Sequence, residues 1–300
     1  MVVAVGLAGA GRRAAGIHAP AIAACPKVRL AGIWGRSPAL IQNLAERTGT
    51  SAYTRYADFL RDCEAVAFAV PPAVQADLAP STARAGKALL LEKPLGGDLA
   101  GAEQVADAVA TTRVVAQLAL TWRYAVAVRE FLTFAAPRTR PQGGSGRVIS
   151  GVLADPRWAS PWQVERGVLR AYGTDLVDLL DAALGRVLAV RAHGDPGGWV
   201  GIMLEHEGGR FSEASLYAHI EHRADGHAQA SNRAGVEVFG PGGAADVDCL
   251  ASVDEDAFKT MYDEFATAVE NHASPELDVR RGLHLQQVLD NAETDLFRQV

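Results

Sequence analysis

The sequence has few cysteines and no cysteine motif. Cys25, Cys63 and Cys249 are an odd number, lie far apart and form no Cys-x-x-Cys pair. Such a set indicates neither a disulfide framework nor a zinc site built from thiolates. The sequence therefore predicts a protein of a reducing compartment, with the cytoplasm as the default location.

Long hydrophobic runs are also missing. The longest apolar stretches, such as residues 65–70, fall well short of the roughly 20 residues that a helix needs to span a bilayer. Residues 1–10 are apolar, but no basic residue precedes them and Arg12 and Arg13 follow, which is the reverse of a signal peptide. We therefore predict no membrane association.

Basic residues are outnumbered by acidic ones. The chain carries 29 Lys plus Arg against 35 Asp plus Glu, a formal net charge of −6, which disfavours a general role in binding nucleic acid. Its 300 residues are 49% hydrophobic and 21% charged, which is typical of a folded protein rather than a disordered one. The length suits two domains of roughly 150 residues each.

The first third of the chain alternates short apolar runs with helical stretches. Strands buried on both faces produce such continuous runs and need helical crossovers between them. The predicted strands cover residues 2–7, 28–34, 65–70, 88–91 and 114–118. The predicted helices cover residues 12–25, 38–48, 77–85 and 99–110. The pattern predicts an α/β fold with a doubly wound parallel sheet of six strands, one more than the five runs identified here, that is complete near Leu120.

The second part of the chain has a different pattern. Residues 137–146 are rich in Pro, Gly and Ser and predict a surface loop. A helix over residues 174–184 and tight turns between β-like runs predict an α/β domain on an open, mostly antiparallel sheet. The runs cover residues 147–154, 186–192, 199–205, 211–220 and 235–239. Two helices with apolar stripes follow, one around Phe265 and one around Leu289.

A glycine-rich turn lies between the first predicted strand and the first predicted helix. Gly9 permits the tight turn, and Gly11 lets backbone amides approach a pyrophosphate. The start of the following helix adds a partial positive charge that favours phosphates. We therefore predict a dinucleotide site, with a purely structural turn as the alternative. Its predicted contacts are Gly9, Ala10, Gly11, Arg12 and Arg13.

The end of the second predicted strand discriminates between nicotinamide cofactors. An Asp or Glu there would bind the adenosine ribose and repel a 2′-phosphate, but residues 33–37 contain no carboxylate. Arg36 and Ser37 can instead hold the 2′-phosphate through a charge-assisted fork and a hydroxyl. We predict NADP(H) as the preferred cofactor and NAD(H) as the second choice. The alternative is that Arg36 is only a solvated residue at a helix start.

Further motifs accompany these residues along nearly the whole chain. They are residues 5–11, 18–20, 70–72, 85–87, 92–95, 146–148, 167–178 and 262–292. Through them the sequence resembles the glucose-fructose oxidoreductase and inositol dehydrogenase superfamily, Gfo/Idh/MocA. The most specific piece is Glu92-Lys93-Pro94 at the end of a predicted strand.

The resemblance implies a Rossmann domain over residues 1–120 and a second domain over residues 121–300 that binds substrate and often mediates oligomerisation. It implies hydride transfer between a nicotinamide and a small, sugar-like or cyclitol substrate, in a homodimer or homotetramer. It also assigns cofactor contacts to Val70, Pro71 and Glu92, and to Lys93 beside them.

Lys93 is the first candidate for catalysis. It lies at the carboxyl end of a predicted strand, where doubly wound sheets bind ligands, and an ammonium can polarise a carbonyl or stabilise a developing alkoxide. Pro94 follows it, so a cis peptide bond would aim the side chain. A surface loop residue is the plainer explanation of a Lys before a Pro.

The sequence departs from the family at the acid/base position. The family's second-domain helix carries Asp, His and Asp where this chain has Ala171, Asp175 and Asp178, so the family's histidine is missing. A carboxylate has an unperturbed pKa of about 3.9, so it accepts a proton at neutral pH but donates one poorly. Asp175 therefore suits the base that accepts the hydroxyl proton when an alcohol is oxidised. Tyr172 or Lys93 could donate a proton instead in a reduction.

Acidic residues share one side of the same predicted helix. Asp175, Asp178 and Asp181 project opposite the apolar positions, so a solvated face is the alternative to a substrate site. Arg123 is a candidate for a polar substrate contact or for a salt bridge between domains. Gln75 stands where the family often has a His and can hydrogen-bond a substrate hydroxyl. The predicted substrate contacts are Lys93, Arg123, Tyr172, Asp175 and Asp178.

Two further hypotheses concern metal binding and function class. A metal site at His219, His222 and His227 lacks a carboxylate or Cys at ligand spacing, so we predict no metal. The missing histidine keeps open an NADP(H)-binding sensor or regulatory protein without dehydrogenase activity. It also keeps open a reductase of an imine or another non-sugar substrate.

Overall fold

The computed structural model describes residues 2–154, 159–221 and 232–298. By their internal contacts, two compact units form, and both are discontinuous in sequence. The first comprises Met1–Thr121 and Glu255–Gln286, and the second comprises Trp122–Asp254 and Gln287–Val300. Residues 255–286 thus pack with the N-terminal part of the chain. The assignment of functions to domains 1–120 and 121–300 stays a prediction.

The first unit contains a six-stranded sheet in which every pairing is parallel. Its strands are β1 (Val3–Ala8), β2 (Val28–Trp34), β3 (Ala52–Tyr53), β4 (Ala65–Phe68), β5 (Ala88–Leu91) and β6 (Ala116–Leu118). The spatial order is β3-β2-β1-β4-β5-β6, which confirms the predicted doubly wound sheet. β1, β4 and β5 are buried over their whole length, which explains their continuous apolar sequence.

The helices of the first third connect these strands. They are α1 (Ala19–Ala24), α2 (Pro38–Thr48), α3 (Tyr56–Arg61), α4 (Pro72–Arg84) and α5 (Leu99–Thr112). The predicted bounds of α2 are correct, because Pro38 starts the helix and Gly49 ends it with a left-handed backbone (φ 65°). The short β3 and α3 have no counterpart in the prediction, since neither is long enough to show a period.

The helix after the glycine turn departs from regular α-geometry. Ala14–His18 form a π-helical turn directly before α1, and the N–H of Ala19 donates to the carbonyl of Ala14. Pro20 has no amide hydrogen, and its ring crowds the carbonyl four residues earlier. The wider π turn accommodates the missing hydrogen bond and the proline ring. His18, within this turn, is fully buried in the first unit.

The second unit is built on a six-stranded mixed sheet. Its strands are β7 (Gly143–Ile149), β8 (Val187–Gly194), β9 (Trp199–His206), β10 (Arg210–Tyr217), β11 (Arg233–Gly240) and β12 (Gly243–Asp248). Their order is β12-β11-β7-β10-β9-β8, and the pairing of β7 with β10 is parallel whereas the other four are antiparallel. The predicted open, mostly antiparallel sheet is therefore confirmed.

Helix packing covers one face of this sheet. The helices of the second part are α6 (Val126–Glu130), α7 (Ala136–Thr139), α8 (Pro161–Leu184) and α9 (Cys249–Ser252). α8 starts 13 residues before the predicted 174–184 helix, because Ser160 and Gln163 form a reciprocal capping box ahead of it. It is kinked at Gly167, where the backbone leaves helical geometry (φ 74°). Leu176 of α8 packs over β7. On the opposite face, alternate residues of β9 and β10, such as Met203 and Phe211, are exposed among the described residues.

The predicted surface loop 137–146 is wrong at both ends, because residues 137–139 belong to α7 and residues 143–146 belong to β7. β7 begins at Gly143 and occupies the interior of the sheet, between β11 and β10. A Cβ at Gly144 would lie 2.8 Å from the Glu237 carbonyl oxygen, and one at Gly146 would lie 2.9 Å from a methyl of Leu176. These glycines therefore serve close packing of backbone and helix, which local sequence patterns do not distinguish from a loop.

The two C-terminal helices are α10 (Glu255–Asn271) and α11 (Val279–Phe297). Their predicted apolar stripes are confirmed as core, since Phe265 and Leu289 are fully buried. Among residues 2–154, 159–221 and 232–298, no helix is both long and apolar enough to cross a membrane.

Candidate functional site

Four loops meet at one edge of the first sheet. Because β2, β1, β4 and β5 are parallel neighbours, the segments after their carboxyl ends lie along the same edge. These segments carry Gly9, Ala10, Gly11, Arg12, Arg13, Arg36, Ser37, Val70, Pro71, Glu92 and Lys93. The residues predicted for the cofactor and for the first catalytic role are thus brought together within the first unit.

The glycine turn fits a dinucleotide. Gly9 has φ 126°, and a Cβ there would lie 2.3 Å from the carbonyl oxygen of Ala69, so only glycine is accommodated. A Cβ at Gly11 would meet no atom of the described residues within 4 Å beyond its own chain neighbours. The turn is therefore packed against Ala69 at Gly9 and open at Gly11, and the close approach of a pyrophosphate requires such an open backbone.

The end of β2 presents a cation and no carboxylate. Arg36 is exposed, and Ser37 caps α2 by accepting a hydrogen bond from the Leu40 N–H (3.4 Å). Gly35 precedes them, and a Cβ there would lie 2.9 Å from a methyl of Ile41. An acidic side chain at position 35 would have to displace that buried residue.

Glu92 is held by a buried hydrogen-bonded chain. Its carboxylate accepts from Arg13 Nε and from His18 Nε2 (2.9 Å), while His18 Nδ1 lies 2.7 Å from the Tyr262 hydroxyl. Burial alone would raise the pKa of Glu92, but the Arg13 charge and the His18 hydrogen bond lower it from 4.5 to about 2. Glu92 is therefore ionised throughout the physiological range.

Donors and acceptors match along this series of hydrogen bonds from Arg13 through Glu92 and His18 to Tyr262. An ionised carboxylate only accepts, so His18 donates to it from Nε2, and the second ring nitrogen, Nδ1, is hydrogen-bonded to the Tyr262 hydroxyl. Burial raises the pKa of Tyr262 well above its ordinary value, so the hydroxyl keeps its proton. These hydrogen bonds connect α10, through Tyr262, to the π-helical turn after the glycine turn and to Glu92, the residue before Lys93.

Lys93 follows the carboxyl end of β5. It is half-buried, and its peptide bond to Pro94 is cis. Gln75, for which the sequence suggests a hydrogen bond to a substrate hydroxyl, is instead fully buried, and its amide binds backbone atoms of Glu92 and Leu95.

The acidic row of α8 lies in the second unit and is buried. Asp175, Asp178 and Asp181 are exposed by only 4%, 1% and 4%, so the alternative of a solvated helix face is wrong. Arg123 lies 3.3 Å from both carboxylate oxygens of Asp178, an ion pair within the second unit rather than between domains. Asp181 accepts a hydrogen bond from the Val187 N–H (2.8 Å) and so has a structural role at the start of β8.

Tyr172 lies one turn before Asp175 on α8. Burial raises the pKa of Tyr172 to about 12, although a hydrogen bond with Ser150 lowers it and the charge of Asp175 raises it further. The phenol therefore keeps its proton at neutral pH. The structure thus brings together Arg123, Ser150, Tyr172, Asp175 and Asp178 within the second unit.

The histidine hypothesis falls partly outside the described residues. His222 and His227 lie in the segment 222–231, which the structure does not describe. Over residues 2–154, 159–221 and 232–298, no group of three or more His, Cys, Asp or Glu is arranged to hold a metal ion.

The fold and the loops at the carboxyl edge of the first sheet together define the class of protein. It is an α/β protein with a Rossmann nucleotide-binding unit and a second unit on an open sheet. Residues 3–120 match the GFO_IDH_MocA family model, described as an oxidoreductase family with an NAD-binding Rossmann fold. This confirms the resemblance found in the sequence. The matched residues are those of the six-stranded parallel sheet, β1 to β6, and its connections.

Solved structures share the fold of the whole chain. A levoglucosan dehydrogenase in complex with NADH has a TM-score of 0.87 at 18% identity, with 100% of this chain and 98% of that chain covered. An apo scyllo-inositol dehydrogenase from Lactobacillus casei has a TM-score of 0.85 at 16% identity, with 99% and 97% covered. A UDP-N-acetylglucosamine 3-dehydrogenase from Acidithiobacillus ferrooxidans has a TM-score of 0.85 at 17% identity, with 99% and 98% covered. No curated protein sequence gives a significant match.

Sequence reasoning missed the partners that hold the candidate residues. His18 is 74 positions from Glu92 and 244 positions from Tyr262, and Ser150 is on a different element from Tyr172. Such pairings depend on tertiary contacts. The one available signal was the residue types themselves, since a buried carboxylate requires partners.

Proposed function

We propose that the protein is an NADP(H)-dependent oxidoreductase that transfers a hydride to or from a small polar substrate, either sugar-like or a cyclitol. The observation that carries this proposal is the edge of one parallel sheet at which the glycine turn follows β1, Arg36 follows β2 and Lys93 follows β5. Ligands of doubly wound sheets bind outside the carboxyl ends of the strands. The similar folds of a levoglucosan and a scyllo-inositol dehydrogenase support the substrate class.

In this proposal the first unit binds the cofactor. Gly9 and Gly11 allow the pyrophosphate to approach the backbone, and Arg36 binds the 2′-phosphate. Glu92 acts through Arg13, which it holds in place. The remaining contacts are Ala10, Arg12, Ser37, Val70, Pro71 and Lys93. When bound, the nicotinamide supplies or accepts the hydride.

Lys93 polarises the reacting oxygen of the substrate. The positive charge of its ammonium stabilises the negative charge that develops on that oxygen as the hydride moves. Arg123 and Asp178 form an ion pair that presents polar groups to the substrate.

Proton transfer falls to Asp175 or Tyr172. Asp175 suits the base of an alcohol oxidation, because a carboxylate accepts a proton at neutral pH. Tyr172 suits the acid of a reduction, because its pKa of about 12 keeps it protonated. The direction of the reaction decides between them.

A substrate panel tests the proposal. The protein is incubated with NADP⁺ and sugars, cyclitols and other polyols, and with NADPH and the corresponding ketones and imines, while the absorbance of the reduced nicotinamide is followed. Turnover of a sugar or cyclitol is expected. Turnover of imines alone would replace the substrate class, and tight NADPH binding without any turnover would favour the sensor or regulatory protein.

Replacing Arg36 by alanine is expected to weaken NADPH binding by about 10- to 100-fold, because charge-assisted hydrogen bonds contribute about 1.5–3 kcal/mol each. The affinity for NADH is expected to change by less than about twofold, since NADH has no 2′-phosphate. Arg47→Ala, at another exposed position of the same helix α2, is the matched control. Equal losses for the two cofactors, or tighter binding of NADH by the wild-type protein, would contradict the assignment.

The second unit is proposed to form a homodimer, or a homotetramer containing that dimer, through the exposed face of its sheet. Met203, Phe211 and Phe239 on this face are 57%, 52% and 49% exposed, and large apolar side chains exposed together on one face are typical of an interaction surface. A double variant Met203→Glu and Phe211→Glu is expected to reduce the mass measured by light scattering to that of a monomer. Phe134→Glu, whose side chain is 65% exposed on a helical segment, is the control. A wild-type monomer would refute this assembly.

We also propose a cytoplasmic location. The three cysteines are buried and form no disulfide, which suits a reducing compartment.

A further inference from the structure

Gln75, on α4, binds the backbone on both sides of Lys93. The amide nitrogen of its fully buried side chain donates to the carbonyl oxygens of Glu92 (2.8 Å) and Leu95 (3.0 Å). Its amide oxygen accepts from the N–H of Glu92 (2.8 Å). One side chain therefore holds the residue before Lys93 and the second residue after it.

These hydrogen bonds replace those of the sheet. β5 ends at Leu91, so residues 92–95 leave the ladder and need other partners for their buried backbone groups. Gln75 exchanges two hydrogen bonds with Glu92, as a residue of an adjacent antiparallel strand would do. The side chain of Glu92 is fixed independently by Arg13 and His18.

An amide is the side-chain group that fits this role. Gln75 must accept from one backbone N–H and donate to two carbonyl oxygens at the same time. A carboxylate has no hydrogen to donate and would face two carbonyl oxygens, and an aliphatic side chain would leave the buried backbone groups unsatisfied.

We propose that Gln75 is the positioning residue of Lys93. The inference rests on the proposed function, in which the Lys93 ammonium contacts the reacting oxygen. With the backbone held at residues 92 and 95, the side chain of Lys93 extends from a fixed base. A displacement of about 1 Å at a reacting group can lower the rate about 100-fold, so the loss of this support has a kinetic consequence.

The first test follows Lys93 itself and needs no substrate. The lysines of the chain are Lys27, Lys87, Lys93 and Lys259. Reductive methylation with carbon-13 formaldehyde gives each a separate NMR signal, which single Lys→Arg variants assign. In Gln75→Met we expect the signal of Lys93 to move toward that of a mobile exposed lysine, while the other signals stay in place.

The second test is kinetic. In Gln75→Met we expect kcat to fall about 100-fold while the Kd for NADPH changes less than about threefold, because Lys93 is only one of the proposed cofactor contacts and those of the glycine turn and Arg36 are intact. Gln117→Met is the matched control. Gln117 is also buried in the first unit and donates to a backbone carbonyl, that of Met261 (3.0 Å), but it lies on β6. This control is expected to lose comparable stability and to keep the Lys93 signal and kcat.

The outcomes separate the positioning role from the proposed function. An unchanged Lys93 signal, or a moved signal with unchanged kcat, overturns the role of Gln75. A moved signal in a protein whose wild type turns over no substrate supports the contact with Lys93 and contradicts the proposed function instead. If Gln75→Met does not fold, Gln75→His takes its place. Imidazole keeps one donor and one acceptor, so we expect intermediate values of both the signal and kcat.

Discussion

Replacement of Lys93 by alanine is expected to lower kcat by about 100- to 1,000-fold. This is the usual loss when one group that stabilises a developing oxyanion is removed. Lys93 is half-buried at the end of β5, on the same sheet edge as the turn that is proposed to bind the pyrophosphate. Its removal deletes the charge and leaves the backbone contacts of Gln75 in place. The rate is measured with the substrate that the panel identifies.

Two further variants define the role of Lys93. Lys93→Arg keeps the positive charge but changes its shape, so we expect an intermediate kcat. Lys259→Ala removes an exposed lysine of α10 and is expected to keep the wild-type rate. Full turnover by Lys93→Ala would refute the assignment of Lys93.

Glu92→Gln is expected to lower the free energy of unfolding by about 3 kcal/mol at pH 7. The pKa of Glu92 is lowered from 4.5 to about 2 in the folded protein, and each pKa unit corresponds to about 1.4 kcal/mol. Glutamine keeps an acceptor for His18 but has no charge for Arg13. The difference between wild type and variant is measured by urea unfolding of the full chain.

The pH dependence of this difference is a sharper test. A carboxylate with a lowered pKa in the folded state contributes stability that is fully present above pH 4.5 and is lost as the pH falls through about 2. The difference between wild type and Glu92→Gln should therefore be constant from pH 8 to about pH 5 and fall below half by about pH 3. Glu103→Gln, on the exposed face of α5, should show no such dependence. A difference that is independent of pH would show that the charge of Glu92 does not stabilise the fold.

The fold of the first unit could be predicted from the sequence because its signals are local. β5 is a four-residue apolar run, and the bounds of α2 are fixed by Pro38 and Gly49. The same kind of local signal gave a wrong prediction at Gly143 and Gly144, where a loop was expected and β7 is found. There, glycines that accommodate packing in an interior strand have the composition of a loop.

The candidate site was predictable only in part. Local motifs indicate the glycine turn, Arg36 and Lys93. Their common position could also be predicted, because parallel topology alone brings the loops that carry them to one edge of the sheet. The burial of Asp178 and its pairing with Arg123 could not be derived, since the helical period of α8 shows which residues share a side but not what covers that side. Likewise, no local pattern indicates that Gln75 binds the backbone around Lys93.

A titration of the full chain with NADPH and with NADH, followed by tryptophan fluorescence, tests the central claim most directly. Trp34 ends β2 beside Arg36, so a bound dinucleotide should quench its emission. We predict saturable quenching by both cofactors with the lower Kd for NADPH. Absence of binding by either cofactor would contradict the account, because the glycine turn would then be only structural and no role in hydride transfer could be assigned to Lys93.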